Sequence, residues 1–387
     1  MAPCSTSAGL PRWRYAVHPM SRRRHGSVAL TLAAALVAVP AAPSQRGPDL
    51  EWTVGATVRR FVPPGTYNWR GATTRVLQVG LWYPARSDSQ ITQHAVGPAD
   101  SPLFRLGAWA DDAPVAAGRF PLIVLSHGTG GSAEIMAWLA RGLAARGYIV
   151  AAVNHPGNNA LDEYTAEGFL VWWERARDLT TTIDLLLADT GLEPAIDAGR
   201  IGAAGFSLGG YTVVAVAGGL TDPQRFREFC RSASAEGCLD PPEFPGLFER
   251  WDDLATSSAT FRNAVSEAAR SFRDHRIKSV FAVAPALGPA FVPESLRDIA
   301  VPVAIIAGND DRLVPVRSNG ALLASLIPGA TLALLPDVGH YTFLAACTEV
   351  GHRLEPQFCA DLPGIDRETI HQDTVERAVR FFDDTLR

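Results

Sequence analysis

Short, almost wholly apolar runs, most of them followed by a stretch with helical spacing, dominate the chain from Phe120 onward. Leu122-Ile123-Val124-Leu125, Tyr148 to Val153, Arg200 to Gly205, Ser279 to Ala284, Pro302 to Ala307 and Thr331 to Leu335 are such runs. A strand with one wet face alternates polar and apolar residues, so a run that does not alternate is covered on both sides. The intervening segments, Ala133 to Ala145, Trp173 to Leu187, the stretch from Leu208, Ala321 to Leu326 and Thr369 to Leu386, supply the helices that would cover it. The pattern predicts an α/β protein with a mostly parallel central sheet and helices on both faces. Arg75 to Tyr83 reads as an earlier strand, followed by a loop rich in Pro, Asp and Gly up to Phe120. No linker divides the alternation, so residues 43–387 are expected to form one large domain. The polar, charged segment 220–277 interrupts two core strands and reads as a helical cap inserted above the carboxyl edge of the sheet, where ligands bind.

One strand-to-helix junction carries a chemical signal. Gly205-Phe206-Ser207-Leu208-Gly209 places a serine between glycines two residues away on either side. A turn this sharp strains the central residue and leaves room only for very small neighbours. It also exposes the hydroxyl beside the N-terminus of a helix, whose first N–H groups lack acceptors.

Three further segments end strands on the same predicted edge. Ser126-His127-Gly128-Thr129-Gly130-Gly131 is glycine-rich, so its backbone can turn N–H groups inward, and the N–H groups of Thr129 and Leu208 are the candidate oxyanion donors. The Gly-Lys-Ser/Thr ending of a nucleotide-binding loop is missing from it. Gly308-Asn309-Asp310-Asp311 offers a carboxylate to orient an imidazole; Asp311 is the candidate and Asp310 a turn former. Asp337-Val338-Gly339-His340 places a histidine past the last strand, where it could reach back as a general base. His155, in Asn154-His155-Pro156-Gly157, is the competing base and otherwise reads as lining the pocket. His127 reads as a loop-fixing residue near that pocket. Phe206, Trp138, Trp172, Trp173 and Trp251 are aromatic candidates for an acyl pocket, although aromatics at such positions also build cores.

Taken in order, these segments resemble the α/β-hydrolase superfamily over Phe120 to about Phe343. Within it they are most similar to the secreted group called predicted dienelactone hydrolases, and to platelet-activating-factor acetylhydrolases and cutinase-like polyesterases. The resemblance implies a catalytic triad of Ser207, Asp311 and His340, no metal or organic cofactor, and hydrolysis of a small-molecule or lipid ester through an acyl-enzyme. Serine stands where true dienelactone hydrolases use cysteine, so that name does not carry the substrate. A peptidase or perhydrolase on the same fold, and a non-catalytic ligand-binding protein, are the alternative readings.

The rest of the chain bears on location. Arg22-Arg23-Arg24, the apolar run Val28 to Val39 and the small residues Ala41 and Ala42 form a secretory signal over residues 1–42, with Met20 an alternative start. The run is short for a bilayer span, which takes about 20 residues. Beyond it remain Cys230, Cys238, Cys347 and Cys359, two local pairs suited to disulfides in an oxidising compartment, although four cysteines allow three pairings. Their spacing does not suit a metal site. A net charge of -5 with no long basic stretch beyond the leader argues against a nucleic-acid partner.

Overall fold

The computed structural model describes residues 51–387 and one short strand, Val17–Pro19. The rest of the expected leader, its alternative start and the linker at 43–50 lie outside the described residues. The strands are β1 (Val17–Pro19), β2 (Thr53–Phe61), β3 (Leu77–Ala85), β4 (Thr92–Val96), β5 (Phe104–Asp111), β6 (Phe120–Ser126), β7 (Ile149–Asn154), β8 (Ile196–Phe206), β9 (Ile277–Val283), β10 (Val303–Gly308), β11 (Thr331–Leu335) and β12 (Ala346–Cys347). They form a 12-stranded sheet in the order β1-β4-β5-β2-β3-β7-β6-β8-β9-β10-β11, with β12 beside β5. From β7 to β11 every neighbour is parallel, whereas β3 runs antiparallel to both β2 and β7. The central strands are therefore the mostly parallel sheet that the unbroken apolar runs predict.

The side chains of each central strand divide between two cores. Leu122 and Val124 of β6, with Ile201 and Ala203 of β8, face the helices Glu174–Leu187 and Leu208–Ala217. Ile123 and Leu125, with Ala204 and Phe206, face Ala137–Ala145 and the closing helix Arg367–Thr385. Those two outer helices pack closely because Gly142 has no Cβ; one placed there would stand 2.6 Å from the Val375 methyl groups. Because β-branched and leucine side chains on both faces are removed from water, this sheet is the main store of hydrophobic stabilisation in the molecule.

The region read as a loop between residues 84 and 119 instead carries β4 and β5. Both are half-exposed, Gly97 and Gly107 interrupt the pattern at positive φ, and the register slips between His94 and Ala95. Such short edge strands lack the continuous apolar signature of the central ones. The segment 220–277 forms three short helices, Pro223–Arg231, Arg250–Ser257 and Ala259–Ser266. Disulfides join Cys230 to Cys238 and Cys347 to Cys359, with Cα separations of 5.6 and 5.8 Å. Among the described residues no helix is long and apolar enough to cross a membrane.

Candidate active site

Strand β8 ends at Phe206, and the next residue, Ser207, has φ 56° and ψ −118° before the helix from Leu208 begins. A non-glycine residue there is strained, and its neighbours make the strain tolerable. A Cβ on Gly205 would collide with the Gly209 carbonyl, and one on Gly209 with the Ser126 carbonyl. The Ser207 N–H donates to the Val283 carbonyl at 2.9 Å, and the Ser207 carbonyl accepts from Ala286 and Tyr211 N–H groups at 3.0 and 3.1 Å. The elbow is thus tied on both sides, and its hydroxyl stands at the edge of the sheet.

His340 reaches that hydroxyl from the loop after β11. Its Nε2 lies 2.9 Å from Ser207 Oγ, and its Nδ1 lies 2.6 Å from Asp311 Oδ2. The imidazole rests on the Phe206 ring, with centroids 4.8 Å apart, and all three polar residues are buried. Asp311 is aimed by its second oxygen, Oδ1, which accepts the Val314 N–H at 2.7 Å. Asp310 turns away and pairs with Arg312. A carboxylate accepts only, so Nδ1 carries the proton and Nε2 is free to accept from the serine.

The relay opens on a cavity of about 200 Å³ lined by Thr129, Ser207, Leu208 and His340, with Phe206 and Trp172 among its aromatic walls. Phe226, Glu243, Leu247 and Phe248 enter it from the 220–277 segment. Trp138, Trp173 and Trp251 lie outside its lining: Trp173 Nε1 donates to the Ala264 carbonyl, Trp138 Nε1 to that of Phe343, and Trp251 packs edge-on against Phe261. The first-turn N–H of Leu208 has no intrahelical acceptor, and Leu208 and Thr129 both line the cavity beside Ser207.

His127 and His155 do not line this cavity, contrary to the reading of the sequence; both are buried behind the loop that follows β6. His127 Nδ1–H donates to the Gly128 carbonyl at 2.6 Å, while its Nε2 accepts the His155 N–H at 3.3 Å. Burial, aided by Arg175, pushes His127 well below the usual histidine range. His155 belongs to a second Ser–His–Asp array: Nε2 accepts from Ser126 Oγ at 2.9 Å and Nδ1–H donates to Asp178 Oδ2 at 2.7 Å. Burial and then Arg175 push its pKa down to about 3. Although burial opposes it, Arg70 and His155 pull Asp178 down to about 2. Ser126, His155 and Asp178 are all absent from the lining of the cavity.

What the array does is hold a loop. Arg175, fully buried, donates to the His127 carbonyl and to Ser126 Oγ. Asn158 Oδ1 accepts the Gly130 N–H at 2.7 Å, Tyr164 Oη donates to the Gly130 carbonyl at 2.7 Å, and Ala160 N–H to that of Gly131 at 2.8 Å. Arg70 and Tyr67 complete the shell around Asp178. Thr129 is therefore flanked by fixed peptides. Sequence reasoning missed Arg70, Asn158, Arg175 and Asp178. The available signal was Arg175 and Asp178, charged residues one turn apart on a helix face otherwise made of Ala176, Leu179 and Ile183.

Residues 123–352 match the model of the alpha/beta hydrolase family. No curated protein matches the chain. Among solved structures it is similar to a ferulic acid esterase from Streptomyces cinnamoneus, with a TM-score of 0.58 and 22% identity over 88% of this chain and 92% of that one. At that identity the likeness speaks for the fold, and it includes the region before the family match. The strand order, the elbow after β8 and the extent of the match agree: this chain belongs to the alpha/beta hydrolase family.

Proposed function

We propose that the chain is a serine hydrolase of carboxylic esters, with Ser207 as nucleophile, His340 as general base and acid, and Asp311 as the group that orients the imidazole. The observation that carries this reading is the continuous relay from Asp311 Oδ2 through both His340 nitrogens to Ser207 Oγ, ending at an open cavity. His340 Nε2 takes the hydroxyl proton as Oγ adds to the ester carbonyl. The resulting anion lies against the backbone N–H groups of Thr129 and Leu208, an arrangement commonly worth about 2.7–4 kcal/mol per donor in the transition state. His340 then gives its proton to the departing alcohol. Water, activated by the same nitrogen, releases the acid and restores the serine. The mechanism uses only protein groups and water.

The resemblance to secreted dienelactone-hydrolase-like and acetylhydrolase-like esterases fits this chemistry, as does the ferulic acid esterase of similar fold. The 220–277 segment acts as a cap, since it supplies Phe226, Leu247 and Phe248 to a mostly apolar wall. Two disulfides fit an exported protein. The test is Ser207→Ala, measured with p-nitrophenyl butyrate and with a fluorophosphonate probe. Turnover is expected to fall by about 10⁴-fold or more and labelling to vanish. Hydrolysis at the wild-type rate by the variant would refute the assignment.

A further inference from the structure

Glu243 is an acidic side chain in the wall of a cavity that is otherwise largely apolar and aromatic, and the mechanism above does not use it. It comes from the 220–277 segment and lies directly on the oxyanion loop. A Cβ on Gly130 would stand 2.8 Å from Glu243 Cγ and 3.1 Å from its Cβ, so the base of the Glu243 side chain packs directly against the residue next to Thr129. Gly130, with φ 60°, leaves the space into which Glu243 packs. Among the described residues no other side chain pairs with this carboxyl; its hydrogen bond is to its own backbone N–H. Glu243 is partly exposed, and a carboxyl at a cavity wall that a bound ligand would cover is costly unless that ligand offers it a hydrogen-bond partner. The loop is separately held from behind by Asn158, Tyr164 and Arg175.

We propose that Glu243 is the specificity-determining residue of this site, taking a hydroxyl group that the substrate carries within about two carbons of its ester. The distance follows from the placement, since the Glu243 side chain packs on Gly130, one residue from the Thr129 N–H proposed above to meet the carbonyl oxygen. The choice of hydroxyl follows from its chemistry. Burial raises the Glu243 pKa to about 7, with His340 pulling the other way, so both protonation states are present near neutrality. A hydroxyl can donate to the carboxylate and accept from the acid, whereas an ammonium suits only the first and a carboxylate only the second. A polar group that the bound substrate covers, and that the plain analogue leaves unpaired, penalises that analogue, which is how one side chain produces strong discrimination.

This inference rests on the esterase reading, and the test separates the two. Wild-type kcat/KM is compared at pH 7 for two near-isosteric pairs, 2-hydroxyethyl butyrate against propyl butyrate and ethyl lactate against ethyl isobutyrate. A preference of about tenfold or more for the hydroxylated member of at least one pair is expected. In Glu243→Leu that ratio should fall to near unity, and in Glu243→Gln, which retains a donor and an acceptor, part of it should survive. No preference in either pair, or one that persists in Glu243→Leu, overturns the proposal. So does a stronger preference for a choline ester over its 3,3-dimethylbutyl analogue, which would mark the carboxylate as a cation site. Hydrolysis of the plain esters that depends on Ser207 leaves the esterase reading standing in each of these cases. Loss of all Ser207-dependent hydrolysis removes both.

Discussion

At the scale of single residues the site combines strain and desolvation, each opposed by something nearby. A non-glycine residue at the φ of Ser207 costs about 1–3 kcal/mol, and the three backbone hydrogen bonds around it, with the small flanking glycines, confine it there. This much was legible in the sequence, because only a few residue types tolerate such an elbow. Glu243 was not legible: in Pro241-Pro242-Glu243-Phe244 it reads as one charge among many in a polar insertion, and only the packing places it in the cavity wall. Its stability effect has a definite sign. The folded carboxyl titrates near 7 and the unfolded one near an ordinary glutamate value of about 4.3, so the folded state binds the proton more tightly. The penalty is absent below the unfolded value, grows as pH rises and is complete above the folded value. His340 and Tyr341 are the titratable groups that act with it, and burial together with the charge of Glu243 raises Tyr341 in turn. Glu243→Gln should therefore be close to neutral at pH 4.5 and more stable than wild type at pH 8, by about 2 kcal/mol once solvent screening of the partly exposed carboxyl is discounted. Urea denaturation at the two pH values measures this, and an equal difference at both would contradict it.

At the scale of elements, the central strands and their helices follow from pattern, because burial on both faces leaves a run with no polar alternation. The edge strands β4 and β5 escaped notice because they are half-exposed, bulged and broken by glycine. The loop after β6 was legible as a glycine-rich turn at the sheet edge, but what positions it was not. Its supports come from residues 70, 158, 164 and 175, and no local spacing links them. The magnitudes suggest how to expose that role. Arg175→Met leaves the His127 carbonyl short of a donor, a loss of about 1–3 kcal/mol. It also removes a buried cation beside an Asp178 already paired with Arg70, which is a gain. Burial, followed by the nearby Arg70, pushes Arg175 down to about 9 despite Asp178, consistent with a charge held at a cost. The two stability effects oppose one another, so the melting temperature should move little. A peptide displaced at Thr129 has no such compensation, and kcat for p-nitrophenyl butyrate should fall about 10- to 100-fold while KM changes less than about threefold. Unchanged kcat, or a fall explained entirely by unfolding, would separate this network from the site.

At the scale of the whole molecule, the two disulfides close loops of similar size in different mechanical settings. Their sequence separations, 8 and 12 residues, give similar chain-entropy contributions of about 3 kcal/mol each. What differs is what each loop is joined to. Cys347 and Cys359 are buried in the second core; β12 pairs with β5, and Arg367 of the closing helix binds the Ala345 and Phe358 carbonyls and the Asp361 carboxylate beside them. Opening that loop disturbs strand, helix and the turn that carries His340 together. Cys230 and Cys238 are only partly buried and sit in a segment of short helices outside the sheet. Such a segment can open without the rest, because local unfolding costs less where fewer apolar contacts are broken. A cysteine count by itself could propose these pairs, but it could not rank them. The double change Cys347→Ser/Cys359→Ser should lower the global melting temperature by several degrees. The change Cys230→Ser/Cys238→Ser should leave that transition nearly in place, increase proteolytic cleavage within residues 220–277, and lower kcat/KM by loosening the wall that carries Phe226, Glu243 and Leu247. Calorimetry with limited proteolysis distinguishes the cases; equal melting shifts for both pairs would mean that the segment unfolds with the sheet rather than ahead of it.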